Sequence, residues 1–315
     1  MIALPSPQQL RYLTALAESR HFGRAALACA VTQSTLSAGI LALERQLDAA
    51  ILDRSAGKHV VFTPLGLELV ARAGAALTTL EAFVEAAQAA RAPMSGPLRL
   101  GVIPTIGPFL LPRLMPVLRE AFPRLRLYLR EDTTARLVER LEANRLDVLL
   151  LALPCDCGGA EASPVARDEF LVALPRGHRL AAQERIPVAA LARERLLLLE
   201  DGHCLRDQAL AVCGLLAGDR EGQDSFAATS LHTLVQMVAG GLGVTLLPRL
   251  AIAAGVTAGT GIELRPLAGA GGWRTLGVAW RPNAPRASEY RALAPLLAET
   301  CRETLASPQT HPGAE

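Results

Sequence analysis

The sequence predicts an α/β protein built in two parts: an N-terminal winged helix-turn-helix with a long linker helix, then a two-lobed α/β body. Three observations predict it. Helix-start signals recur at short spacing over residues 1–64, one long apolar stripe without proline fills residues 65–92, and from Leu98 onward buried apolar runs alternate with helix-like segments. The expected boundaries are therefore 1–64 for the head, 65–92 for a linker helix that wants a partner helix, and 97–306 for the body. A chain of 315 residues has room for two such units at ~150 residues each. A content of 50% hydrophobic and 20% charged residues excludes disorder for all but the tail, residues 307–315.

Ser6-Pro7-Gln8-Gln9 forms a capping box with proline at the first helical position, and Leu10, Leu13 and Ala17 line one face behind it. Residues 23–28 give a second short helix. Thr32 then caps the run 33–46, in which Leu36, Ile40, Leu43 and Leu47 share a face. This leaves Gln33, Ser34, Thr35 and Ser37 on an exposed first turn. Short polar side chains there suit a DNA major groove, because they reach base edges while the helix end favours phosphate; the bland alternative is a solvated helix face. Gly57-Lys58-His59 and Val60-Val61-Phe62 read as a turn and a short strand, a wing that carries Lys58, the single lysine, toward a nucleic-acid backbone. Thr63-Pro64 caps the linker helix, whose Leu65, Leu69, Ala73, Ala76, Leu80 and Val84 stripe ~42 Å at 1.5 Å per residue. Ala92-Pro93-Met94-Ser95-Gly96-Pro97 breaks it.

In the body, strand-like runs fall at 98–103, 125–129 and 148–153, then at 170–174, 196–199, 244–247 and 276–280. Helix-like segments fall near 108–122, 134–144 and 288–305. The run Asp147-Val148-Leu149-Leu150-Leu151-Ala152-Leu153 argues for parallel strands covered on both faces, and two lobes with a cleft are the economical arrangement. Charge decides little: 32 basic against 30 acidic residues neither demands nor excludes a nucleic-acid partner. The N-terminus lacks the pattern of an export signal, and the longest uncharged stretch, 225–248, is interrupted by Gly240-Gly241 and Gly243. With six cysteines and no export signal, the expectation is a cytoplasmic, reducing location and no membrane association.

Leu36-Ser37-Ala38-Gly39-Ile40-Leu41-Ala42-Leu43-Glu44, Leu47, Ile51-Leu52-Asp53-Arg54 and Phe62-Thr63-Pro64-Leu65-Gly66 form a pattern by which the head resembles the LysR-type transcriptional regulators. Gly39, Leu41 and Ala42 depart from it, replacing the usual polar or basic residues. More narrowly, Leu197-Leu198-Leu199-Glu200-Asp201-Gly202-His203-Cys204-Leu205-Arg206-Asp207-Gln208-Ala209 resembles the sensing segment of the family's peroxide-responsive members. The likeness runs from about Pro7 to Cys301 and recurs in Ile103-Pro104-Thr105-Ile106-Gly107-Pro108, Thr229-Ser230-Leu231 and Trp273-Arg274-Thr275-Leu276-Gly277. It implies a body like the type 2 periplasmic binding proteins and dimers assembled into homotetramers. It also implies binding to double-stranded promoter DNA, activation through RNA polymerase, hydrogen peroxide as the signal, and a reversible Cys204–Cys213 disulfide as the switch. By the same resemblance Thr105, Thr134, His203 and Arg274 surround the peroxide or the thiolate, with Asp207 nearby.

The residues themselves fit such chemistry. A sensing thiol needs its pKa lowered by a helix N-terminus or a cation, and Gly202-His203-Cys204 reads as a helix start to which Arg274 can be brought. A regular helix from Cys204 to Cys213 would separate the two Cα atoms by ~13.5 Å, whereas a disulfide allows at most ~6.8 Å, so bonding forces a refolding. Thr105 read alone is equally a strand-end cap, Arg274 a surface charge and His203 an ordinary surface or core histidine. Cys155-Asp156-Cys157 lacks a second ligand pair for zinc and reads as an incidental loop pair, while Cys29 and Cys301 read as packing residues. No motif calls for a cofactor. Two other functions stay open: a regulator that binds a small effector in its cleft, and a thiol peroxidase using Cys204 and Cys213.

Overall fold

The computed structural model describes residues 4–53, 59–91, 93–214, 227–269 and 272–306. The chain divides into two compact units, Met1–Arg91 and Ala92–Glu315. The first unit holds α1 (Pro7–Ser19), α2 (Phe22–Ala28), α3 (Gln33–Leu47) and α4 (Pro64–Arg91). The capping box forms as the sequence expects: the Gln9 amide donates to Ser6 Oγ at 3.2 Å and the Ser6 amide to Gln9 Oε1 at 2.7 Å. His21 caps α2 through Nδ1, and Thr32 caps α3 by accepting the Thr35 amide at 3.2 Å. Leu13, Leu16, Leu36, Ile40, Leu43 and Ile51 make the small core. Gly39 sits where α3 crosses α1, and a Cβ there would lie 2.5 Å from the Tyr12 ring. Its departure from the regulators' usual residue thus answers to packing. The wing strand is reduced to a bridge between Leu52 and Phe62, steadied by Glu44, whose Oε1 accepts the Ile51 and Leu52 amides at 2.9 and 3.1 Å. Lys58 lies outside the described residues.

The second unit runs β1 (Gly96–Val102), α5 (Gly107–Ala121), β2 (Leu125–Glu131), α6 (Thr134–Glu142), β3 (Val148–Leu153), β4 (Glu161–Leu174), β5 (Ile186–Pro187), α7 (Val188–Leu191), α8 (Cys204–Val212), α9 (Leu231–Ala239), β6 (Thr245–Pro248), α10 (Arg249–Ala253), β7 (Glu263–Ala268), β8 (Trp273–Trp280) and α11 (Ala287–Ala306). Strand order is β2-β1-β3-β8-β4-β7-β5, with β6 also on β4. The sheet is mixed: the parallel strands that the sequence predicts are present, and antiparallel pairs stand beside them. β1 runs parallel to β2 and β3, but β8 is antiparallel to both β3 and β4, and β4 is antiparallel to β6 and β7. β3 is parallel to β1 on one side and antiparallel to β8 on the other, and its burial is the same in either sense.

β4 joins the two lobes. Its first part, Glu161 to Glu169, pairs with β8, and its last residues, Phe170 to Leu174, pair with β6 and β7. The expected strand at 196–199 contributes only isolated bridges, Leu196 to Val244 and Leu199 to Ala228, and β7 was not anticipated. Val148, Leu149, Leu150, Leu151, Val278 and Ala279 are fully buried at the centre of the core.

Candidate functional site

Two helix N-termini meet across the body. Thr134 is the first residue of α6 and Cys204 the first of α8, each preceded by an extended N-cap residue, Thr133 and His203, whose side chain makes no capping bond. The partial positive charge of both helix ends is therefore left to act on whatever lies between them. Gly202, at φ +91°, turns the chain into α8, a backbone conformation that favours glycine. Arg206 fixes that turn by donating to the Leu199 carbonyl at 3.2 Å.

Ile103, Pro104, Thr105, Thr133, Thr134, Gly202, His203 and Cys204 line one narrow niche. Thr105 is held in it by Arg274, which donates through Nη1 to the Thr105 hydroxyl at 2.8 Å and through Nη2 to its carbonyl at 2.9 Å. Arg274 Nε donates to Asp168 Oδ2 at 2.9 Å, an ion pair with both side chains wholly buried. The second Asp168 oxygen accepts the Leu250 amide at 2.9 Å. Asp168 and Arg274 are direct partners across β4 and β8, so sheet register delivers the guanidinium to Thr105. Asp168 was missed in the sequence, where Arg167-Asp168-Glu169 looks like a surface charge run. The signal was its phase: Asp168, Phe170 and Val172 alternate into the interior.

Burial raises the Cys204 thiol above its ordinary pKa. Arg274, the Thr134 hydroxyl and the Leu205 amide act in the opposite direction, and Asp207 adds to burial. The expected net lowering is thus corrected: the helix end and the cation are in place, but desolvation outweighs them and the resting group is a thiol. The Thr134 hydroxyl is buried, has no conventional hydrogen-bond partner and faces this sulfur. Burial lowers the His203 pKa, against a smaller pull from Glu200, so the imidazole is neutral at pH 7. Cys301, wholly buried near Asp168 and Arg274, is pushed up to about 12 by burial and by Asp168.

The niche therefore unites Thr105, Thr134, His203 and Cys204, with Arg274 bonded to Thr105. Asp207 points elsewhere: with Gln208, Ala211, Val212, Leu153, Pro154 and Arg274 it lines a separate cavity of about 610 Å³. Cys213 is the C-cap residue of α8, buried and outside any disulfide, at the opposite end of the nine-residue helix from Cys204. Cys155 and Cys157 are bonded to each other, which corrects their reading as an incidental pair. In the head, Gln33, Ser34, Thr35 and Ser37 are all exposed on the first turns of α3. Among the described residues no group of His, Cys, Asp and Glu is placed to hold a metal ion, and no single helix is long and apolar enough to cross a membrane.

Residues 7–67 match the profile of the bacterial regulatory helix-turn-helix protein, lysR family, and residues 91–302 that of the LysR substrate binding domain. The chain belongs to the LysR family. That is a family of transcriptional regulators, not of enzymes. Among its LysR-family relatives, a probable hydrogen peroxide-inducible genes activator of Streptomyces viridosporus is 42% identical over 95% of each chain. The DNA-binding transcriptional dual regulator OxyR of Escherichia coli is 42% identical over 91% of this chain and 93% of that one. A full-length OxyR variant from Pseudomonas aeruginosa superposes with a TM-score of 0.72 at 36% identity, covering 95% of this chain and 98% of that one. A peroxide-bound OxyR mutant of Corynebacterium glutamicum gives 0.67 at 32% identity, covering 97% and 95%. A LysR head and a LysR body thus follow one another in this chain as they do in full-length relatives.

Proposed function

We propose that this LysR-family chain is a hydrogen peroxide-sensing, DNA-binding transcriptional regulator that activates oxidative-stress defence genes, switched by a reversible Cys204–Cys213 disulfide. The observation that carries the reading is the placement of Cys204. Its sulfur opens α8 inside a niche with the Thr134 hydroxyl facing it, Thr105 and neutral His203, while Cys213 closes the same helix. The Cys204 thiolate attacks one oxygen of hydrogen peroxide, the O–O bond breaks, and the departing hydroxide takes up a proton and leaves as water. Cys204 is then a sulfenic acid. The Cys213 thiolate attacks that sulfur, the sulfenic hydroxyl leaves as a second water, and the disulfide remains.

Each neighbour has a share in this. Arg274 and the α8 end stabilise the thiolate, which is the minor form in this niche. Thr134 and Thr105 supply hydroxyls to the incoming peroxide, and neutral His203 can donate or accept a proton. Cys204 is half-buried, so the incoming peroxide meets a sulfur at the edge of the niche. Asp207, on the other wall of α8, raises the thiol and so opposes early ionisation. In the head, Gln33, Ser34, Thr35 and Ser37 address the major groove of promoter DNA and Lys58 its backbone. The active form is a homotetramer assembled from dimers, in the cytoplasm, that engages RNA polymerase.

Peptide mapping by mass spectrometry after one equivalent of peroxide tests the reading. The expected result is a Cys204–Cys213 disulfide within seconds, absent from Cys204→Ser. Two thiols left reduced would sink it and turn attention to a small effector. Sustained peroxide consumption with a thiol reductant, in a chain lacking residues 1–92, would instead favour a peroxidase.

A further inference from the structure

The loop between β3 and β4 carries chemistry that the Cys204 switch does not use. Cys155 and Cys157 are bonded with their Cα atoms 5.3 Å apart, whereas Cys29, Cys204, Cys213 and Cys301 form no disulfide. The loop is shaped to bring these two sulfurs together. Gly158 and Gly159, at φ +57° and +82°, fold the chain back after Cys157, and the Ala160 amide closes the turn on the Cys157 carbonyl at 2.9 Å. The left-handed conformation at both positions favours glycine, whatever space surrounds them. The two thiols are unequal. Cys157 is buried at 9% exposure within the core, while Cys155 is more open and stands beside exposed Asp156.

We propose that Cys155 and Cys157 are a second thiol–disulfide couple, loaded by low-molecular-weight disulfides through Cys155 and independent of Cys204 and Cys213. The Cys155 thiolate attacks one sulfur of a small disulfide, RS–SR, breaking its S–S bond and releasing RS⁻. The mixed disulfide on Cys155 is then attacked by the Cys157 thiolate, which forms the Cys155–Cys157 bond and releases the second RS⁻. The two protons given up by the protein thiols go to the two released thiolates. The protein pair is oxidised by two electrons and RS–SR is reduced to two RSH. Division of labour follows from access: the open sulfur meets the reagent and the buried one, held in reach by the glycine turn, resolves it.

The test uses full-length protein equilibrated in glutathione buffers of rising disulfide content, acid-quenched, alkylated and mapped by mass spectrometry. Closure of Cys155 onto Cys157 is expected at the same buffer composition in the wild type and in Cys204→Ser/Cys213→Ser. Two single variants then assign the roles. Cys157→Ser should accumulate a glutathione adduct on Cys155, at least about ten-fold faster than Cys155→Ser acquires one on Cys157. Both thiols remaining alkylatable in every buffer would overturn the proposal, as would closure that disappears when Cys204 and Cys213 are replaced. Faster adduct formation on Cys157 than on Cys155 would overturn the assigned entry point. The wild-type measurement needs no variant to fold, and its outcome is separate from whether peroxide oxidises Cys204.

Discussion

Arg274 and Asp168 lie in a dry interior where a lone charge is costly, and each is satisfied only because the other is present. Thr105 and the Leu250 amide complete the set, so the pair works as a bolt between β4, β8 and the niche rather than as a generic salt bridge. Replacing Asp168 by Asn should leave the guanidinium short of its counter-ion and cost about 3–5 kcal/mol, read as a lower urea midpoint. An unchanged midpoint would mean that the pair is not a keystone. His203 gives a pH signature. Its folded pKa is depressed, so the unfolded chain binds the proton first, at about 6.5. The stability tied to neutral His203 is complete above that value and is lost as pH falls toward the folded pKa. His203→Gln should therefore flatten the acid-side decline of the urea midpoint below about pH 6.5, and an unaltered slope would assign the decline to other groups. Of the residues named here, Cys204, Cys213, His203, Thr105 and Arg274 were legible through a resemblance that spells out their neighbours. Asp168 was not, because a buried acid in a polar tripeptide shows only as a phase in an alternation.

At the level of elements, α8 is the part under tension between two chemistries. As a regular nine-residue helix it holds Cys204 and Cys213 at opposite ends, ~13.5 Å apart by helical rise, and a disulfide brings Cα atoms within ~6.8 Å. Both cannot hold at once. The cavity of about 610 Å³ beside Asp207, Gln208, Ala211 and Val212 offers space for a rearranged segment, and Gln208 already carries a buried Oε1 without a partner. Oxidation should remove the far-UV circular dichroism of about one short helix, a dithiol should restore it, and Cys213→Ser should show neither change. Retention of the full helical signal in a mass-verified disulfide form would contradict the refolding. The head and its caps were legible because capping boxes and 3.6-residue periodicity are local. Strand direction was not, since β3, flanked by β1 on one side and β8 on the other, is hydrophobic throughout in either sense. β4 was caught only at its Phe170–Leu174 end, its first part being too polar to read as a strand before β8 lies against it.

For the whole molecule, the question is how a change at α8 becomes a change at a promoter, and α4 is the element whose surface bears on it. The helix has 28 residues, ~42 Å at 1.5 Å per residue, and only its first half is used by the head: Leu69 and Ala73 pack on the small core. Farther along, Leu80, Phe83 and Val84 are 44%, 76% and 51% exposed. Leucine, phenylalanine and valine within five residues of one helix make an apolar patch that is left in water only at a cost of about 25 cal/mol per Å². We propose a second copy of the same helix as the occupant, because a two-fold pair of helix-turn-helix heads reads two half-sites about 34 Å apart. Such a pairing would serve the exposed α3 side chains, since a head with a nearly balanced charge gains little from phosphates alone. Phe83→Glu with Val84→Glu should put like charges on both faces of the seam. The expected result is a fall of light-scattering mass to a smaller species, with weaker binding to a two-half-site operator and unchanged binding to a single half-site. The Cys204–Cys213 disulfide should still form in that variant, because its chemistry belongs to the body. A variant of unaltered mass would remove α4 from the interface and leave the body to join the copies.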